Sequence, residues 1–178
     1  MTVAEKAKRI KLLVLDVDGV MTDGRIVYSD SGEELKFFDS RDGHGIKLLK
    51  RAGVEVAIIT GRASRAVEHR ASNLGIQFVY QKALNKIDAF NELASRTGTA
   101  DEAICTMGDD LPDLPVMHRS GLAVAVPDAV EEVRAAADYT TARPGGSGAV
   151  REVCELIMKA QGTWREVTAR YYGSVEEP

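Results

Sequence analysis

Ile10-Lys11-Leu12-Leu13-Val14-Leu15-Asp16-Val17-Asp18-Gly19-Val20 reads as a short strand that runs out into two carboxylates. Its apolar residues follow one another without polar alternation, the pattern of a strand covered on both faces. Gly19 permits a turn just after the two acids, so both side chains can approach one ligand. Similar apolar runs recur at residues 54–59, 76–79, 103–107 and 122–126. Helical spacing lies between them, at residues 45–52, 63–74, 83–96, 111–119 and 129–136, and again at 149–160. Gly53, Gly75, Gly98 and Gly121 fall where helix C-caps are expected. Strand and helix therefore alternate, which predicts an α/β fold, a doubly wound parallel sheet of the Rossmann-like kind. In such sheets ligands gather outside the carboxyl ends of the strands.

One stretch interrupts the rhythm. Residues 25–29 and 34–38 flank Asp30-Ser31-Gly32-Glu33, which predicts a β-hairpin flap at about residues 24–39, directly after the first strand. No large insertion follows it, so no cap domain is expected. The reading is one domain over residues 1–162 with a C-terminal tail at 163–178, where Trp164, Tyr171 and Tyr172 either pack on a neighbour or trail in solvent.

Composition narrows the function. The 178 residues carry 23 Lys and Arg against 27 Asp and Glu, a net charge of −4. No broad basic face is available for a nucleic-acid backbone, so no nucleic-acid partner is expected. Lys6, Lys8, Arg9 and Lys11 precede an apolar run too short for a signal peptide or membrane span, so no membrane is expected and a cytoplasmic protein is. Cys105 and Cys154 stand far apart with no paired spacing, against a disulfide framework or a thiolate zinc site.

The strand ends carry the chemistry. Asp16 and Asp18 are hard oxygen donors that suit Mg²⁺, and no His pair or thiolate cluster offers another metal. Thr60-Gly61-Arg62 follows the second long run, Lys86 opens the helix after the third, and Gly108-Asp109-Asp110 with Asp113 follows the fourth. A hydroxyl and a backbone N–H can hold phosphoryl oxygens, a lysine can offset their charge, and further acids can complete a metal site. Singly, Thr60 reads as a helix N-cap, Lys86 as a solvated helix charge and Asp109-Asp110 as a capping pair. Their common placement at strand ends points to phosphoryl transfer.

In order and spacing, Asp16-Val17-Asp18-Gly19-Val20, Thr60, Lys86 and Gly108-Asp109-Asp110 resemble the four motifs of the haloacid dehalogenase-like phosphohydrolases. A closer likeness, to the sugar-acid phosphatase branch of that family, runs through DVDGVMTDG, Arg41-Asp42-Gly43-His44-Gly45-Ile46, VAIITGR, GLAVAVPD and GGSGAVREVCELIMKAQG, covering about residues 9–162. The resemblance implies a capless Mg²⁺-dependent phosphomonoesterase acting on a phosphorylated eight-carbon 2-keto-3-deoxy sugar acid, in lipopolysaccharide precursor synthesis. It implies a homotetramer whose flaps pack together, one subunit helping to close its neighbour's site. It makes Asp16 the nucleophile and Asp18 the acid and base, with Mg²⁺ held by Asp16, Asp109 and the Asp18 carbonyl. Asp110 and Asp113 orient, while Thr60, Gly61 and Lys86 grip the phosphoryl group. Arg62 is the first candidate for the substrate carboxylate. Arg70 and Arg41 are further candidates, and His44 a weaker one.

Two alternatives remain at this level. Relatives acting on nine-carbon sugar acids carry an acidic residue after Thr-Gly, where this chain has Arg62, and that favours the eight-carbon ester. A phosphorelay receiver also places acids, Thr and Lys on a doubly wound sheet. It sets the paired acids first, however, whereas Thr60 and Lys86 here precede Asp109 and Asp110.

Overall fold

A computed structural model describes residues 1–172. Six parallel strands form one sheet: β1 (Leu12–Leu15), β4 (Glu55–Ile59), β5 (Phe78–Tyr80), β6 (Ile104–Gly108), β7 (Leu122–Ala125) and β8 (Tyr139–Thr140), in the spatial order β5-β4-β1-β6-β7-β8. A two-stranded antiparallel hairpin, β2 (Val27–Tyr28) and β3 (Glu34–Leu35), stands apart. The helices are α1 (Val3–Ala7), α2 (Ser40–Arg51), α3 (Arg65–Leu74), α4 (Lys86–Thr97), α5 (Leu114–Arg119), α6 (Glu131–Ala136), α7 (Ala149–Gln161) and α8 (Trp164–Thr168).

The apolar runs work as predicted because successive side chains leave opposite faces of a strand. Leu13, Leu15, Val56, Ile58, Cys105 and Met107 face one buried layer with Ile46 and Leu49 of α2, Val67 of α3 and Val150, Val153 and Ile157 of α7. Leu12, Val14, Ala57, Ile59 and Ile104 face the other layer, with Phe90 and Leu93 of α4 and Val116 of α5. Each fully buried aliphatic or aromatic side chain contributes about 1.5–3 kcal/mol, so both layers are needed to hold the central strand.

The connections run from β1 to β4 and β5 on one side, then return to β6 on the other side of β1. This reversal at β1 is the switch point where ligands bind in open α/β sheets. The register places Leu15 level with Ile58 and Met107, so the residues that follow the three strands emerge together.

Several predicted boundaries shift. α2 begins at Ser40, because Asp39 caps it by accepting from the N–H of Arg41 and Asp42; the Arg41-Asp42-Gly43 turn is its first turn. The flap strands are two residues each. Gly121 is not a helix cap: α5 ends at Arg119 with Ser120 as its C-cap, and a Cβ at Gly121 would lie 2.1 Å from the Glu102 carbonyl oxygen. Close backbone approach, not a left-handed turn, demands glycine there. α1 and β8 are too short to show a period. The predicted tail is structured over residues 163–172, as α8 and a 3-10 turn (Ala169–Tyr171) that return to α2 and α7. Trp164 packs beneath Arg151 and Lys159, and the Tyr171 hydroxyl lies 3.0 Å from His44 Nε2 and 3.2 Å from Arg51 Nη1. Residues 173–178 of that tail lie outside the described residues.

Candidate active site

The ends of β1, β4 and β6 open onto a cleft of about 320 Å³ lined by Asp16, Asp18, Thr60, Gly61, Arg62, Lys86, Asp109, Asp110 and Asp113, with Gly24 and Pro112. Nine predicted site residues thus meet in one place. Arg41 and Arg70 do not line it. Arg41 pairs with Asp39 at 2.7 Å and borders a separate cavity with Arg143 and Arg151. Arg70 donates to the Asp39 carbonyl at 2.9 Å and stacks over Phe38.

Asp16 is 7% exposed and leaves β1 beside Lys86, the first residue of α4, which is 6% exposed. Lys86 Nζ donates to Asp16 Oδ1 at 2.6 Å and to Asp113 Oδ1 at 2.5 Å, so it is no solvated helix charge. Asp113 uses its other oxygen, Oδ2, to accept from the backbone N–H of Asp109 at 3.1 Å and of Asp110 at 3.3 Å. This fixes the loop after β6. Asp110 itself caps the 3-10 turn (Leu111–Asp113) by accepting from the Leu111 N–H at 2.8 Å. Thr60 is not a helix cap, since Ser64 caps α3; its backbone is held to Tyr80 and Ala83, and its side chain is buried at the cleft.

Oxygens of Asp16, Asp109 and Asp113 lie within 4.8 Å of one another. Burial and the nearby Asp113 charge raise the Asp16 pKa to about 6 against the opposing pull of Lys86. Burial, Asp16 and Asp113 raise that of Asp109 to about 8. Burial would lower the Lys86 pKa, but Asp16 and Asp113 outweigh it and raise it. One lysine does not offset three acids, and the residual demand is for a cation. With both Asp113 oxygens engaged, Asp16 and Asp109 are the open donors. Hard carboxylates on a dry floor fit Mg²⁺ and leave coordination positions for a phosphate oxygen and water. The loop is shaped for it: Gly19 has φ +99°, and a Cβ there would lie 2.0 Å from Asp109 Oδ2.

The hairpin adds residues that the linear reading missed. Lys36 pairs with Asp18 Oδ1 and stands 2.7 Å from Glu34 Oε1. Arg62 Nη2 donates to Glu34 Oε2 at 2.7 Å and to the Tyr28 hydroxyl at 3.1 Å, while its Nε lies 3.9 Å from Asp18 Oδ2. The signal was present in the sequence. Glu34 opens β3 and Lys36 follows directly after it, two residues on, and Tyr28 is the cross-strand partner of Glu34.

Comparison with known proteins shows the family. The haloacid dehalogenase-like hydrolase family model matches residues 72–152. The 3-deoxy-D-manno-octulosonate 8-phosphate phosphatase of Escherichia coli K12 is 51% identical over 160 residues, covering 90% of this chain and 85% of that protein. The crystal structure of the Moraxella catarrhalis phosphatase of that name, in complex with magnesium, phosphate and the sugar acid, aligns with a TM-score of 0.93 at 44% identity, over 95% of this chain and 97% of that one. A cobalt-bound Haemophilus influenzae counterpart aligns with a TM-score of 0.88 at 39% identity, over 94% and 98%.

Proposed function

The chain belongs to the haloacid dehalogenase-like hydrolases, in the family of 3-deoxy-D-manno-octulosonate 8-phosphate phosphatases, and from that premise we propose how its own residues carry out the reaction. The activity is Mg²⁺-dependent hydrolysis of the 8-phosphate monoester to 3-deoxy-D-manno-octulosonate and phosphate. The observation that carries the reading is Asp16, held by Lys86 at the switch point and facing Asp109, with Asp18 two residues further on at the rim of the same cleft.

Asp16 attacks phosphorus through a carboxylate oxygen, forming an aspartyl-phosphate as the bond from phosphorus to the sugar O8 breaks. Asp18 gives its proton to the departing O8. Asp18 then takes a proton from water as the water oxygen attacks phosphorus and the bond from phosphorus to Asp16 breaks, which frees phosphate, restores the Asp16 carboxylate and returns Asp18 to its protonated form. Thr60, the Gly61 N–H and Lys86 hold the nonreacting phosphoryl oxygens; one such preorganised contact supplies about 3–4 kcal/mol of transition-state stabilisation. Mg²⁺ on Asp16, Asp109 and the Asp18 carbonyl offsets the repulsion between a carboxylate and a phosphate dianion.

Arg62, 44% exposed at the rim, is the group for the substrate's carboxylate. The flap supports assembly: Ile26, Tyr28, Leu35 and Phe37 are all exposed, Phe37 at 70%, an apolar face suited to packing between copies in a homotetramer. Arg70 and Arg41 then belong to surfaces that a neighbouring copy can complete. Cytoplasmic residence and a place in lipopolysaccharide precursor synthesis belong to the same proposal, and no helix among the described residues is long and apolar enough to cross a membrane.

The test is phosphate release with Mg²⁺ from 3-deoxy-D-manno-octulosonate 8-phosphate, 2-keto-3-deoxynononate 9-phosphate and an aryl phosphate, for the wild type and Asp16→Asn. Preference for the eight-carbon ester, lost in Asp16→Asn and on chelation, is expected. Preference for the nine-carbon ester would overturn the substrate, and metal-independent turnover would overturn the chemistry.

A further inference from the structure

The flap brings a carboxylate of its own to the guanidinium assigned to substrate. Both oxygens of Glu34 face a cation: Oε2 accepts from Arg62 at 2.7 Å, and Oε1 lies 2.7 Å from Lys36 Nζ. The Lys36 side chain is 2% exposed and that of Glu34 15%, so the cluster is sheltered although it sits at the rim of the Asp16 cleft. The second contact is incomplete. Glu34 Oε1 is buried and, although ion-paired with Lys36, is not squarely aligned with it. Lys36 in turn is shared with Asp18. Two cations around one carboxylate is the arrangement a sugar acid's carboxylate would seek, and it is already filled from within the chain.

We propose that Glu34 is an internal stand-in for the substrate's carboxylate, holding Arg62 in the empty enzyme and giving it up when a sugar-acid phosphate binds. The inference rests on the assignment of Arg62 above. Exchanging one carboxylate for another keeps Arg62 paired throughout, whereas an ester without a carboxylate has nothing to offer Arg62 and leaves Glu34 in place. Glu34 thereby lowers the apparent affinity for the acid substrate by the fraction of molecules in which Arg62 is engaged.

Phosphate release is measured with Mg²⁺ on 3-deoxy-D-manno-octulosonate 8-phosphate and on an aryl phosphate, for the wild type, Glu34→Gln, Glu34→Asp and Arg62→Met. The readout is the ratio of the two kcat/KM values, which cancels any change in shared phosphoryl transfer or in the folded fraction. Glu34→Gln is expected to raise the ratio about fivefold through a lower KM for the acid, the size of shift that a partly exposed ion pair supports. Glu34→Asp, which keeps the charge on a shorter stem, should raise it less. A ratio unchanged or lowered in Glu34→Gln, or raised equally in both Glu34 variants, would overturn the proposal while a collapsed ratio in Arg62→Met left the Arg62 assignment standing. An unchanged ratio in Arg62→Met would remove that assignment and the proposal with it.

Discussion

Substituting Gly19 by alanine tests the site where its geometry is tightest. The added Cβ would lie 2.0 Å from Asp109 Oδ2 and 2.4 Å from its Cγ, about 1 Å inside the closest approach that real contacts show. The Gly19 backbone is tied into the turn after β1, where its N–H lies 3.4 Å from the Thr22 hydroxyl, so the Asp109 carboxylate is the group that yields. The positive φ adds about 1–2 kcal/mol of backbone strain, which lowers the melting temperature by a few degrees without unfolding the domain. The larger effect falls on function, because Asp109 is an open donor to Mg²⁺. A displacement of about 1 Å at a catalytic group costs on the order of 100-fold in rate. Initial rates across a Mg²⁺ titration should show kcat/KM down by about that factor and half-activation at higher Mg²⁺. Gly19→Ala with the wild-type Mg²⁺ dependence and a lowered melting temperature would refute the reasoning, since the strain would be present and the ligand undisturbed.

Other outcomes follow from the same geometry. In metal-free protein, Asp16 and Asp109 keep their protons to about pH 6 and 8, whereas the unfolded chain releases them near pH 4. The folded state then binds more protons, so stability should fall as pH rises from about 4 to 8, and saturating Mg²⁺ should abolish most of that slope in thermal melts; a slope indifferent to Mg²⁺ would contradict the cluster. Lys86→Met removes the cation between Asp16 and Asp113, and kcat should drop about 10²- to 10³-fold, with Lys86→Arg failing to restore it because a planar fork cannot take a point charge's place. Asp42→Ala removes the acceptor for the Gly148 and Arg151 N–H groups at the start of α7 and should cost about 1–2 kcal/mol in denaturant unfolding, with Asp42→Asn milder.

The fold was legible because β1, β4, β6 and β7 are buried on both faces, which forces unbroken apolar runs, and because each run ends in residues whose chemistry has no use inside a sheet. Asp16, Thr60, Lys86 and Asp109 stood out for that reason. β8 and α1 did not, since two and five residues are too few to carry a period. Lys36 and Glu34 escaped because charges in and just past a two-residue strand look like any solvated edge until the fold swings the flap over Asp18 and Arg62. Arg41 and Arg70 show the converse limit. A position near a motif in sequence does not fix where a side chain turns, whether from α2 for Arg41 or from α3 for Arg70, and Asp39 holds both.

The order in which the ribosome delivers the chain gives the last helix a particular weight. Gly145 presses against the Gly19 carbonyl so closely that a Cβ would lie 1.7 Å from it, the Gly146 N–H donates to the Val20 carbonyl at 3.0 Å, and Gln161 reaches the Ile10 carbonyl at 2.7 Å. The loop leading into α7 and the last residue of α7 therefore brace the two sides of β1. A nascent chain has every acid of the site in hand by residue 113, yet the loop after Asp16 stays unbraced until Gly145 and Gly146 emerge some thirty residues later, and the approach to β1 until Gln161 follows. Chains stalled or clipped before Gln161 should release as incomplete cores without phosphatase activity, so the proposed nucleophile Asp16, made early, is braced late.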